Sequence, residues 1–289
     1  MALSSKSLVL NLLSSLRGRA MPVRALVNAA AVFGIADETL RVALARLLAS
    51  GMVQRDERGL YRLAEKTRPV QSQVESWTDI EQRLVPWTGA WVAVHTGGLP
   101  RSDRKAARRR ARAFEFLGFR ELEAGLWIRP DNLRGGVAAS RLRLHELGLE
   151  DSAPIFRITD LGAAEERAAG LWQVDELRNS YRRTRSDLER SAARLAKLPR
   201  ARAMAESFVL GGKAIRNMVF DPLLPEPLVP VAERRAMIEE LKRYDKLGRQ
   251  CWREFMKEQG APHIEAPLDF GFRETAGSGG AFSSREVSA

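Results

Sequence analysis

The sequence predicts a multidomain α+β chain, and three patterns carry that expectation. Residues 1–66 read as three short helices followed by a basic hairpin. Residues 90–160 alternate strand and helix patterns in the order β-α-β-β-α-β. Residues 161–273 keep the three-and-four spacing of amphipathic helices, broken by a cluster of prolines. A length of 289 residues suits two or three domains rather than one.

In the first segment, helix one is expected over 5–17, with Leu8, Leu12, Leu13 and Leu16 on one face. Helix two is expected over 22–33, with Pro22 in the first turn, where a missing N–H is tolerated. Gly34-Ile35-Ala36 form a tight turn, and Asp37 is expected to cap a third helix over 38–50. Gly51 supplies the left-handed stop. Strands at 52–55 and 60–63 flank the turn Asp56-Glu57-Arg58-Gly59. Three helices and a hairpin in this order make a winged helix-turn-helix, a DNA-reading device.

On the third helix, Leu40, Ala43, Leu44, Leu47 and Leu48 share the packed side. Glu38, Val42 and Ala45 lie opposite, flanked by Thr39, Arg41 and Arg46. Arginine forks suit guanine, and Thr39 and Val42 suit a thymine methyl. Arg55 and Arg58 on the hairpin suit sugar–phosphate. The expected DNA-binding residues are therefore Thr39, Arg41, Val42, Arg46, Arg55 and Arg58. Through residue 66 ten bases stand against five acids, and the whole chain carries a net charge of +11. Such a balance favours a polyanionic partner.

Residues 67–89 form a linker, and the β-α-β-β-α-β order over 90–160 is the ferredoxin-like arrangement. Its strands are expected at 90–95, 119–123, 126–129 and 154–159, and its helices at 101–117 and 132–147. The first of these helices should bury Ala107, Ala111, Phe114 and Leu117 and turn Lys105, Arg108, Arg109 and Arg112 outward. Beyond 160 lie a long helix over 171–198, a second over 202–216, an extended connector set by Pro222, Pro225, Pro227 and Pro230, and a last helix over 231–258. Residues 274–289, rich in Gly and Ser, are expected to be a disordered tail.

Several chemistries find no support. His95, His145 and His263 are far apart, and Cys251 is the one cysteine, so no zinc spacing and no internal disulfide arise. Gly211-Gly212-Lys213 lacks the rest of a phosphate-loop pattern. No catalytic residue, metal or resident cofactor is expected. The chain shows neither a signal peptide nor an apolar run of membrane-spanning length, which points to a cytoplasmic protein. A nuclease built on the central domain would need clustered carboxylates, which 90–160 does not offer at a suitable spacing. A protein-binding scaffold is the other alternative, and it predicts no salt-dependent DNA affinity.

Four stretches together carry a family resemblance: Leu8-Val9-Leu10-Asn11-Leu12-Leu13 with Phe33-Gly34-Ile35 and 40–47; Gly125-Leu126-Trp127-Ile128-Arg129-Pro130-Asp131-Asn132; Leu171-Trp172 with Leu177 and Tyr181; and Phe220-Asp221-Pro222-Leu223-Leu224-Pro225. Across nearly its whole length the chain resembles the PaaX family of bacterial transcriptional repressors. It departs from the family pattern at Gln173-Val174 and after Pro230. The resemblance implies a homodimer on a two-fold DNA operator, repression of aromatic-acid (phenylacetate) catabolic genes, and release by an aryl-CoA thioester such as phenylacetyl-CoA. Arginines for its phosphates and aromatics for its acyl group make Trp172, Arg178, Tyr181 and Arg216 the candidate ligand residues.

Overall fold

The computed structural model describes residues 3–56, 58–67, 76–100 and 102–264, so the expected tail lies outside the described residues. The fold is mixed α+β, with two small sheets in the first 160 residues and helices beyond them. Two compact units emerge, neither of them continuous in sequence. The first gathers described residues within 1–77, 184–218 and 237–289, and the second those within 78–183 and 219–236. The helical segment 161–273 therefore contributes to both.

In the first unit, α1 (Ser5–Ser14) starts where the Ser4 hydroxyl accepts the Ser7 N–H at 3.2 Å. It ends three residues earlier than the leucine spacing suggests. Leu16 is still buried, but Arg17 and Gly18 have φ of 49° and 82° and turn the chain away. Met21–Pro22 form a short strand, β1, and Pro22 is the N-cap of α2 (Val23–Val32) rather than a first-turn residue. α3 (Asp37–Ala49) is capped by Ala36, not Asp37. Asp37 is already helical, and its carboxylate meets Arg41 one turn on, at 2.6 Å. The end of α3 fits expectation: Gly51 has φ 63°, and the N–H groups of Gly51 and Met52 reach back to the carbonyls of Leu48 and Leu47.

β2 (Val53–Arg55) and β3 (Leu60–Leu63) form an antiparallel hairpin, and β1 adds to the free edge of β3, giving the order β1-β3-β2. The hairpin turn is fixed by Asp56, whose Oδ1 accepts from the N–H groups of Arg58 and Leu60.

The second unit is built on β4 (Trp91–His95), α4 (Arg104–Phe116), β5 (Arg120–Glu123), β6 (Leu126–Pro130), α5 (Gly136–Glu146) and β7 (Ile155–Ile158). The strands lie in the order β5-β6-β4-β7, every neighbouring pair antiparallel. α4 starts late because Asp103 caps it, accepting from the N–H groups of Lys105 and Ala106 at 2.9 Å. Its buried face is rotated from the expected one. Ala111 is exposed, Ala106 and Ala113 are buried, and Arg110 is buried too, its charge met by Glu150 at 2.5 Å. A hydropathy period places every arginine outside, so a paired interior arginine shifts the apparent stripe.

An apolar cluster of Trp91, Ala93, Leu122, Ile128, Ala168, Trp172, Leu224 and Val229 forms this unit's core, and the rings of Trp91 and Trp172 stack at 6.1 Å and 7°. Short α6 (Glu165–Ala169) precedes α7 (Val174–Leu195), α8 (Arg200–Val219) and α9 (Val231–Glu258). The stretch 211–213 lies inside α8, and Gly211 and Gly212 are buried. A Cβ at Gly211 would sit 3.7 Å from the Tyr244 ring, so this glycine serves helix packing rather than a phosphate loop.

Candidate nucleic-acid interface

α3 divides cleanly along its length. Leu40, Ala43, Leu44 and Leu47 are buried, whereas Glu38, Thr39, Arg41, Val42, Ala45 and Arg46 are exposed. Val42 is 45% exposed, unusual for a large apolar side chain and suited to a partner surface. The start of α1 borders this face: Ser4, Ser5 and Lys6 line one concavity of about 390 Å³ with Glu38, Thr39, Val42, Ala43 and Arg46. Sequence periodicity found the α3 side of this surface. It missed the α1 side, because nothing in the spacing of residues 4–6 tells which helix end lies beside α3.

The cations differ in readiness. Arg41 holds its own Asp37 through an exposed pair, so its fork is partly engaged. Arg46 makes no ion pair among the described residues. On the hairpin, Arg55 lies over the Tyr61 ring at 5.8 Å, a cation–π contact that steadies it, while Arg58 stands exposed beside the turn. The structure thus brings Thr39, Val42 and Arg46 together in one concavity, with Arg41 exposed on the same helix and Arg55 and Arg58 on the neighbouring hairpin.

The candidate ligand residues fall in different units. Arg216 belongs to the first unit and the other three to the second. Trp172 is buried in the apolar cluster and donates its indole N–H to the Gly118 carbonyl at 3.2 Å. Arg178 lies near Asp175 and Glu233. The buried Tyr181 hydroxyl faces Asp221 and Arg234 without a hydrogen bond of ordinary geometry to either, and burial pushes its ionisation far above the usual phenol range.

Two motifs that sequence reading took separately meet in the second unit. Arg129, 3% exposed, donates to the carbonyls of Leu117, Pro130 and Pro222 and to Asn132 Oδ1. Asn132 donates to the Leu223 carbonyl at 2.7 Å. Arg234 donates to the Leu224 carbonyl at 2.7 Å, and Asp221 accepts from the Leu223 N–H. Gly118 approaches so closely that a Cβ there would sit 2.8 Å from Pro222 Cα. Burial lowers Arg129 to about 10 and raises the Asp221 carboxyl. These residues lock the strand end after β6 to segment 221–225; they hold the fold rather than offer a reactive surface. Among the described residues, no group of three or more His, Cys, Asp or Glu is placed to hold a metal ion, and no helix is long and apolar enough to cross a membrane.

Two family models match the chain. One for PaaX-like proteins matches residues 4–67, which carry α1 to β3. A second, for the C-terminal domain of PaaX-like proteins, matches residues 172–254. The chain belongs to the PaaX-like family. Among solved structures, an uncharacterized protein from Mycobacterium tuberculosis, Rv0674, is similar in fold, with a TM-score of 0.56 and 24% identity over 86% of this chain and 98% of that one. No curated protein matches the PaaX-like chain. Family membership suggests a transcriptional regulator of phenylacetate catabolism rather than an enzyme.

Proposed function

We propose that this chain is a sequence-specific DNA-binding transcriptional repressor of aromatic-acid catabolic genes, released from DNA by an aryl-CoA thioester. Residues 4–67 are read as a winged helix-turn-helix, with α3 as its recognition helix and the β2–β3 hairpin as its wing. The β4-to-β7 sheet with α4 and α5 is read as ferredoxin-like. The observation that carries the proposal is the outward face of α3, where exposed Thr39, Val42 and Arg46 share a concavity, together with exposed Arg55 and Arg58 on the hairpin that follows α3. An arginine and apolar or methyl-bearing side chains on one helix face suit base edges in a major groove, and exposed cations on a hairpin suit phosphates. A homodimer would place two such helices on successive major grooves of a two-fold operator.

Retardation of the DNA upstream of the chain's own gene, repeated with a panel of acyl-CoA thioesters, tests the proposal. The expected result is a salt-dependent complex dissolved by an aryl-CoA. Binding equal to that of unrelated DNA, or no binding, would refute it.

A further inference from the structure

α4 carries its charge against its own electrostatics. Six of the nine residues 104–112 are Lys or Arg, and no Asp or Glu follows until Glu115. Arg104 and Lys105 occupy the first turn, where the helix dipole disfavours cations, and that turn holds no acid. Arg104 with Arg108, and Lys105 with Arg109, are like charges four residues apart, an arrangement that destabilises a helix. α7 shows the alternative: its exposed Arg185 and Arg190 are each met by an acid of the same helix, Glu189 and Asp187.

Of the α4 cations, Arg110 turns inward to Glu150. Arg104, Lys105, Arg108 and Arg109 are exposed and make no ion pair among the described residues. Asp103, which precedes them, is committed to capping the helix through the N–H groups of Lys105 and Ala106. The acids beyond α5 are engaged as well: Glu146 pairs with Arg143 at 2.8 Å, and Asp151 faces His145 at 3.3 Å. Arg109 is seated against the turn that follows α5, since a Cβ at Gly148 would stand 3.4 Å from its Cδ. The exposed face of α4 is thus a row of cations that the fold leaves unmatched.

We propose that this face of α4 is a second duplex-DNA surface, one that grips sugar–phosphate without reading bases. From Arg104 to Arg112 the helix runs about 12 Å, and duplex DNA carries about seven phosphates over that length of axis. The occupant also follows from what the face lacks. The apolar side of α4, Ala106, Ala113, Phe114 and Phe116, is buried, so no apolar border is left to enter a membrane or to centre a protein interface. No aromatic side chain of α4 is exposed for the bases of a single strand to stack on. The surface adds affinity and salt dependence rather than sequence preference. It belongs to the second unit and α3 to the first, so it stands or falls apart from the base-reading role of α3.

Fluorescence anisotropy of the full chain over a salt series tests it, with a labelled duplex of unrelated sequence and one from upstream of the chain's own gene. The variant Arg104→Gln/Arg108→Gln/Arg109→Gln should melt no earlier than the wild type, because like charges have been removed. It should bind both duplexes at least tenfold more weakly at low salt and lower the slope of log affinity against log salt by about 2–3. Arg104→Lys/Arg108→Lys/Arg109→Lys, which keeps the charge, should bind both as the wild type does. If the Gln variant melts early, Lys105→Gln/Arg108→Gln makes the same test with a slope change of about 2. An unchanged slope in the Gln variants, or an equal loss in the Lys variant, overturns the surface. A larger loss for duplex RNA or for polyglutamate than for DNA overturns the DNA assignment. Binding that depends on α4 but shows no preference for the upstream duplex leaves the surface standing and removes the repressor reading. A preferred upstream complex untouched by the Gln variants does the reverse.

Discussion

On α3 of the first unit, Arg46 stands in solvent and Arg41 is held only by a neighbouring exposed carboxylate. In the second unit, Arg129 and Arg234 are 3% and 1% exposed, and their guanidinium nitrogens are directed at backbone carbonyls. The side chain is the same and the net charge counts both alike, yet the two sets have opposite uses. A solvated arginine keeps its donors free for an incoming acceptor. A buried one must have its donors matched inside the protein, because an unmatched buried charge is expensive. The +11 balance of the chain is therefore a poor guide to where a polyanion binds. Exposed cations such as Arg46 and Arg58 can serve a ligand without dismantling the fold; Arg129 and Arg234 cannot.

The comparison breaks most sharply at Arg129. Arg129→Met leaves several buried carbonyls and Asn132 short of a donor, and a loss of about 3–5 kcal/mol of stability is expected, as for one-sided removal of a buried charged partner. Urea unfolding measures it; a loss below 1 kcal/mol would mean that the lock around 221–225 is not structural. Gly118→Ala attacks the same lock without touching charge. The new Cβ meets Pro222 at a backbone φ of 75°, and a loss of about 2–3 kcal/mol is expected. An unshifted denaturation midpoint would show that the two segments separate easily.

Arg46→Ala is the counterpart on the solvated side. It should leave melting unchanged and weaken specific operator binding by about 1–3 kcal/mol, with relaxed preference at one base pair. Uniform weakening across all sequences would move Arg46 from base to phosphate. Arg58→Ala should weaken every sequence alike and reduce the slope of log affinity against log salt by about 1. Selective loss at one base pair would contradict the phosphate role of the hairpin.

How legible these two sets were in the sequence follows from the same contrast. The exposed and buried faces of α3 emerge correctly from a three-and-four period, because leucines alternate with polar residues at every turn. The hairpin and the glycine stop after α3 are local chemistry and were equally readable. β1 was not, since two residues of strand carry no period and exist only because the edge of β3 accepts them. Arg110 and Arg129 were misplaced or passed over, because their burial depends on partners remote along the chain, Glu150 and Pro222. The segments 125–132 and 220–225 were visible as motifs, but nothing in their spacing reveals that they touch. The contact of Phe33 with Trp252 was missed for the same reason: the sequence shows an aromatic residue at the end of α2, not what it packs against.

The smallest effect concerns the arginine that sits between the two classes. Arg41 is exposed, but Asp37 already takes up part of its fork through an (i, i+4) pair. Such an exposed pair contributes only about 0.3–0.5 kcal/mol, so Asp37→Asn should scarcely move the melting temperature. Its consequence for DNA is of another kind. On the proposed DNA-binding reading, Arg41 has to part from Asp37 to reach a base, and the Asp37 carboxylate would repel nearby phosphates. Both obstacles vanish in Asp37→Asn, and operator affinity should rise a few-fold at low salt. It also follows that Arg41→Ala is milder than Arg46→Ala, since part of what Arg41 gives to DNA is taken from Asp37. Retardation assays on the three variants decide it. A fall in operator affinity in Asp37→Asn would show that the carboxylate aims the Arg41 fork rather than holding it back, and would place Arg41 with the arginines whose partners fix them.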